Sequence, residues 1–311
     1  SAMRDADNSQ EVLAALRELG VNVEIIAGER EAYLSFIGTV NGFDTLDSAR
    51  IDSEKGSSAG QKTVSKTGTD EDGLEKAELS DAVSTRVLVV DIGGGSTEVI
   101  LGSVVFAGSS EVEDSFVFAE SSAVSGLPAV AESSAGPSTD SATRSTVVKR
   151  EAQVLASHSF DMGSRRVSDR FLLSDPPTVA EQNQAREWIG QQLTEFFANL
   201  ESRPEVMIAV AGTATSAISV RERMTVYDPA LVHGSVMLVG ELAAITNHLA
   251  ALSEQERQRV VGLEPERASV IVGGLLVLQT ILGVCELPSF IVSESDILQG
   301  ILLDGFKRYH G

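Results

Sequence analysis

The stretch Arg86 to Gly102, RVLVVDIGGGSTEVILG, restricts the fold of this chain more than any other. An apolar, largely β-branched run leads up to Asp91, then Gly93, Gly94, Gly95, Ser96 and Thr97 intervene. A second apolar run follows from Val99 to Leu101. The pattern predicts strand, tight glycine turn, strand. Glycines let the backbone turn sharply and let a ligand approach its N–H groups. Asp91 and Glu98 flank the turn, and two hydroxyls lie within it. Backbone donors and hydroxyls suit phosphate oxygens, and carboxylates suit a hard cation such as Mg²⁺. An ordinary glycine hairpin is the competing reading; Asp, Ser, Thr and Glu together favour phosphate.

At 311 residues and 42% hydrophobic, the chain has material for one large or two ordinary domains. The formal charge of −21 argues against a protein that coats nucleic acid or rests on an anionic membrane. It also means that a phosphate site here needs cations close by. The single cysteine, Cys285, rules out an intramolecular disulfide and fits a reducing, cytoplasmic setting. The longest apolar run, Ala268 to Val284, is broken by Gly273, Gly274 and Gln279, so it reads as core. No signal peptide is visible, and the start at Ser1 without a Met leads us to expect further residues upstream.

In order, Asn8 to Leu19 predicts an amphipathic helix and Val21 to Ala27 a strand. A helix follows from Glu29 to about Val40, with Glu31 in its first turn. Residues 41–85 lose periodicity and read as a low-complexity insert, and 109–156 as a second, flexible one. Ser157 to Phe171 reads as strand then turn, Val179 to Leu200 as a helix. Val206 to Val210 reads as a strand entering AGTATS, Ala211 to Ser216, where small residues let a helix start close to a ligand. Helices near Val239–Leu252 and Ala268–Val284, a strand at Phe290–Val292 and a closing helix at Asp296–Tyr309 complete an α/β alternation.

Several stretches, in this order, resemble the exopolyphosphatase / guanosine pentaphosphate phosphohydrolase (Ppx/GppA) family. They are SAMRDADN (Ser1–Asn8), IIAGEREAYLSFIG (Ile25–Gly38), VVDIGGGSTEVILG (Val89–Gly102) and SFDMGSRRVSDRFL (Ser159–Leu172). AVAGTATSAIS (Ala209–Ser219), YDPALVHG (Tyr227–Gly234), GLEPERASVIVGG (Gly262–Gly274) and VSESDILQGIL (Val292–Leu302) follow. The resemblance implies an actin-like ATPase (ribonuclease H-like) fold, two lobes with a cleft between them. Residues 1–40 would be a remnant of an incomplete first lobe and 86–311 the second. The family's opening Asp–x–Gly–Ser–Asn type loop should precede Ser1, so the chain reads as an N-terminally truncated member, weak or inactive alone.

The same resemblance implies roles for single residues. Glu31 matches the acid that activates the attacking water, although Arg30 replaces the acid that normally precedes it. Asp91 and Glu98 match acids associated with Mg²⁺ (or Mn²⁺) and with orienting that water. Gly93, Gly94 and Ser96 match the phosphate-holding loop, Arg4 and Arg267 phosphate-contacting arginines, and Ser164 a neighbour of the phosphate. His233 reads as a structural turn residue. The activity implied is removal of terminal orthophosphate from inorganic polyphosphate. Hydrolysis of guanosine pentaphosphate is the alternative, followed by a non-catalytic polyphosphate or alarmone sensor and by a kinase. A homodimer is compatible with the family.

Overall fold

A computed structural model describes residues 8–21, 23, 25–43, 84–106 and 150–310. Arg4 and most of both inserts lie outside the described residues. The centre is a six-stranded sheet in the order β3-β2-β1-β4-β6-β5. Its strands are β1 (Ser84–Ile92), β2 (Thr97–Phe106), β3 (Arg150–Phe160), β4 (Val206–Val210), β5 (Val236–Leu238) and β6 (Ser289–Val292). The first three form an antiparallel meander, with Val90 opposite Val99 and Glu98 opposite Ser159. β4 then adds parallel to β1, β6 parallel to β4, and β5 antiparallel to β6.

Strand side chains alternate between the two faces. Leu88, Val90, Ile92, Val99 and Leu101 point into the larger core. That core is closed by α4 (Val179–Ala198), α5 (Ala211–Arg221), α7 (Val239–Ala250) and α9 (Ile271–Cys285). α9 is apolar all round because its environment is core on nearly every side. Among the described residues no helix is long and apolar enough to cross a membrane.

Val87, Val89, Ile100 and Ile208 point to the opposite face, which is covered by α2 (Gly28–Asn41). Phe36 of α2 is fully buried and lies on Gly102 of β2, where any Cβ would collide with its ring. The closing helix α10 (Ile297–His310) crosses α2 where Gly38 and Gly300 let the two backbones touch. Arg30 of α2 forms an ion pair with Asp304 of α10 and lies over the Tyr33 ring. Among the described residues the remaining helices are α1 (Ser9–Glu18), α3 (Ser164–Phe171), two single α-helical turns, α6 (Pro229–Val232) and α8 (Glu254–Arg257), and a 3-10 turn at Pro265–Arg267.

Three expectations need correction. Residues 21, 23 and 25–27 form no strand: none of the six described strands pairs with them, and an apolar run without a ladder partner stays irregular. The flexible insert expected at 109–156 ends sooner, since Arg150 already pairs with Phe106 in the β3–β2 ladder. SRRVSDRF is a helix rather than a turn. It buries only Ser164, Val167 and Ser168 and turns Arg165, Arg166, Asp169 and Arg170 to solvent. So narrow a buried face leaves little apolar periodicity to read.

Candidate active site

The described residues expected to carry chemistry, Arg4 aside, lie around the ends of the parallel strands β1, β4 and β6. Asp91 is next to last in β1, Ala211 follows β4, and Ser293–Asp296 follows β6. The carboxyl ends of parallel strands are where open α/β sheets hold ligands, because the strand-to-helix turns leave a crevice there.

Asp91 and Glu98 are opposite one another in the β1–β2 ladder. By parity both face α2, on the side of Val89 and Ile100. Glu98 is 5% exposed, and its Oε1 accepts hydrogen bonds from Ser96 Oγ and Ser159 Oγ, both at 2.8 Å. Asp91 is half-buried, and its Oδ2 accepts a long 3.4 Å bond from Ser35 Oγ of α2. Burial first, then the charges of Glu98, Asp296 and Glu31, push its carboxyl up to about 7; the Ser35 bond pulls the other way. Glu31 lies one helical turn before Ser35, so a single face of α2 presents both to the end of β1.

The glycine turn is fixed from behind. Gly93 N–H donates to Ser96 O at 3.0 Å, closing the turn. The turn's carbonyls accept from the start of α3: Ser164 N–H to Gly93 O, Arg165 N–H to Gly94 O and Gly163 N–H to Gly95 O, at 2.9–3.1 Å. Ser164 Oγ adds a bond to Gly93 O and Arg166 Nε one to Gly95 O. With the carbonyls turned to α3, the amides of Gly94 and Gly95 donate to no acceptor among the described residues. Gly163 is obligatory, because a Cβ there would sit on the Gly94 carbonyl. Ser96 and Ser164 therefore spend their hydroxyls inside the protein, on Glu98 and on Gly93.

A pocket of about 240 Å³ opens past the ends of β4 and β6, lined among others by Ala211, Gly212, Glu264, Arg267, Glu294 and Asp296. The start of α5 faces it, and Ala211 takes the left-handed φ of 66° needed to leave β4 and begin the helix at once. Arg267 lies against Gly212 and pairs with Glu264 at 2.8 Å, with its side chain 39% exposed. Gly93 and Gly94 do not line this pocket. Asp296 joins the two regions, lining the pocket while its charge acts on Asp91. Tyr227 donates to Glu294 at the rim, and burial raises its phenol.

Ser35, Ser159 and Asp296 escaped the reading of the sequence. All three lie inside stretches that resemble the family; only the register of β2 with β3 shows that Ser159 meets Glu98.

A profile of the Ppx/GppA phosphatase family matches residues 1–56 and 105–309. The chain is similar to exopolyphosphatase 2 of Mycobacterium tuberculosis, 31% identical over 247 residues, covering 74% of this chain and 61% of that protein. It is also similar to a bifunctional 3-dehydroquinate synthase/phosphatase of Fusobacterium nucleatum, at 26% identity over 99% of this chain and 34% of that one. The chain thus spans about a third of one of these relatives and about three-fifths of the other. The crystal structure of an exopolyphosphatase-like protein superposes on the whole chain and on 75% of its own, with TM-score 0.68 and 24% identity. The sheet described above is accordingly the open sheet of the actin-like ATPase fold. Its profile match and its likeness to exopolyphosphatase 2 place this chain in the Ppx/GppA phosphatase family.

Proposed function

We propose that the chain belongs to an exopolyphosphatase that hydrolyses the terminal phosphoanhydride of inorganic polyphosphate and releases orthophosphate. The observation that carries the reading is the Asp91–Glu98 pair across a glycine turn with two amides to offer, with the charges of Asp296 and Glu31 also acting on Asp91. Three acids of like charge around the half-buried Asp91 are costly unless a ligand of opposite charge is recruited.

A divalent cation fits that cluster in one manner. Among the described residues no three His, Cys, Asp or Glu side chains converge closely enough to chelate an ion. A cation would then be held by Asp91 and Glu98 together with water and phosphate oxygens, which is the habit of Mg²⁺. When bound, it would neutralise charge on the phosphoryl oxygens.

The remaining chemistry belongs to the chain. The Gly94 and Gly95 amides, the start of α5 and Arg267 supply positive potential for phosphate oxygens, with Arg4 as a further candidate. Glu31 takes the proton of the attacking water as it reaches phosphorus in line with the leaving oxygen. Glu98, held by two serines, keeps a fixed acceptor beside Asp91.

The nearest rival is hydrolysis of guanosine pentaphosphate by the same residues. Orthophosphate release from long-chain polyphosphate and from guanosine pentaphosphate, measured with Mg²⁺ on the full-length protein, separates them. Faster turnover of polyphosphate is expected. Faster turnover of the nucleotide reverses the ranking, and binding without release from either substrate favours a sensor.

A further inference from the structure

We propose that His233 is a positioning residue that locks α2, with Glu31 and Ser35, to the loop that carries Glu294 and Asp296. The proposal rests on the phosphatase reading, because both segments bring acids to Asp91. The imidazole follows α6 and has partners on both nitrogens. Nε2 lies 2.8 Å from Gly42 O, at the end of α2, and Nδ1 accepts the Glu294 N–H at 3.2 Å. A backbone N–H can only donate, so Nδ1 is unprotonated and the ring proton sits on Nε2, donating to Gly42. The ring also stacks on Phe43, with centroids 4.7 Å apart and planes at 21°.

The surroundings leave this joint little slack. A Cβ on Gly42 would meet Ser295 Oγ at 2.5 Å and His233 Cε1 at 3.2 Å, so the end of α2 lies directly on the 293–296 loop. That loop is braced within itself: Ser293 Oγ donates to Ser295 O, and Ser295 N–H donates back to Ser293 Oγ. Asp296 Oδ1 accepts the Leu298 N–H and so fixes the start of α10. Gly234, next to His233, donates its N–H to Val292 O and anchors the histidine to the end of β6. His233 thus ties the helix bearing Glu31 to the loop bearing Asp296 by hydrogen bonds, beside the backbone contact at Gly38. A shift of α2 along its axis would move Glu31 and Ser35 relative to Asp91, and a 1 Å error in a reacting group costs up to about 10²-fold in rate.

The test uses two conservative variants of the full chain, each keeping half of the joint. His233→Gln can still donate to Gly42 O, and His233→Asn can still accept from Glu294 N–H. Phosphate release from polyphosphate is expected to fall about tenfold or more in kcat for both, with KM within about twofold. Amide exchange at Glu294 is expected to quicken in His233→Gln and to stay slow in His233→Asn. Combined with Glu31→Gln, either variant is expected to cost less than about twofold further, because the group being positioned is already gone. An equal cost in the Glu31→Gln background, a loss confined to KM, or unchanged exchange at Glu294 in His233→Gln overturns the proposal. Near-normal turnover of Glu31→Gln alone instead overturns the phosphatase role of Glu31, while the exchange data still decide whether His233 joins the two segments.

Discussion

Asp91 and Glu98 are partners across the antiparallel β1–β2 ladder, two carboxylates on one face of the sheet and on the two sides of one glycine turn. Like charges directly opposite in a ladder oppose folding. Here the pair is kept, with Glu98 held by two serines and Asp91 left with one long bond from Ser35.

The first consequence concerns pH. The carboxyl of Asp91 rises from its ordinary 3.8 to about 7 on folding, so the fold favours the protonated acid. Its contribution to stability is complete below about pH 4 and is lost as pH rises to about 7. Asp91→Asn keeps the shape without the charge. In Mg²⁺-free buffer it is expected to stabilise the protein by about 1–3 kcal/mol more at pH 8 than at pH 4. Chemical denaturation at the two pH values measures this, and an equal increment at both contradicts it.

The serines beside Glu98 make the second case. Ser159→Ala removes one of two hydroxyls that donate to a carboxylate only 5% exposed. A hydrogen bond to a charged group contributes about 1.5–3 kcal/mol, so a loss of that size is expected. Ser96→Ala should cost a similar amount. Because both bonds end on Glu98 Oε1, the double variant is expected to depart from additivity. Additive losses within about 0.3 kcal/mol would mean that the two hydroxyls act independently.

Backbone contact at the turn gives the third. Gly163→Ala forces a methyl onto the Gly94 carbonyl, and the α3 amides then lose their register with the turn. A loss of about 1–3 kcal/mol is expected, the scale of overpacking. Gly240→Ala, where nothing lies within 4 Å, is expected to be neutral or mildly stabilising. Thermal melts of the two variants supply the comparison. A Gly163→Ala protein as stable as the parent would show that α3 does not fix the turn.

How much of this was legible in the sequence depends on where each residue finds its partners. The strand–glycine–strand unit was readable because its pattern is local: β-branched runs interrupted by Gly93–Gly95 leave few options. The start of α5 at Ala211 was readable for the same reason, from a strand running into small residues. β3 was partly hidden because Arg150–Ala156 resembles the polar sequence before it, and its pairing with β2 spans a long stretch of chain. α3 was missed because a two-layer contact through Val167 is too slight to impose an apolar period. Among the site residues, Glu31, Asp91 and Glu98 stood out as acids at telling positions. Ser35 and Ser159 did not, since a serine in a helix or strand carries no mark until the opposing carboxylate is known.

The acids around the glycine turn are proposed to hydrolyse a phosphoanhydride, with Glu31 taking the proton of water. Steady-state orthophosphate release from polyphosphate by full-length Glu31→Gln, beside polyphosphate binding by the same protein, tests it most directly. Turnover is expected to fall by roughly 10²–10⁴-fold, the scale of a lost general base, with binding retained. Turnover close to that of the parent protein would contradict the assignment.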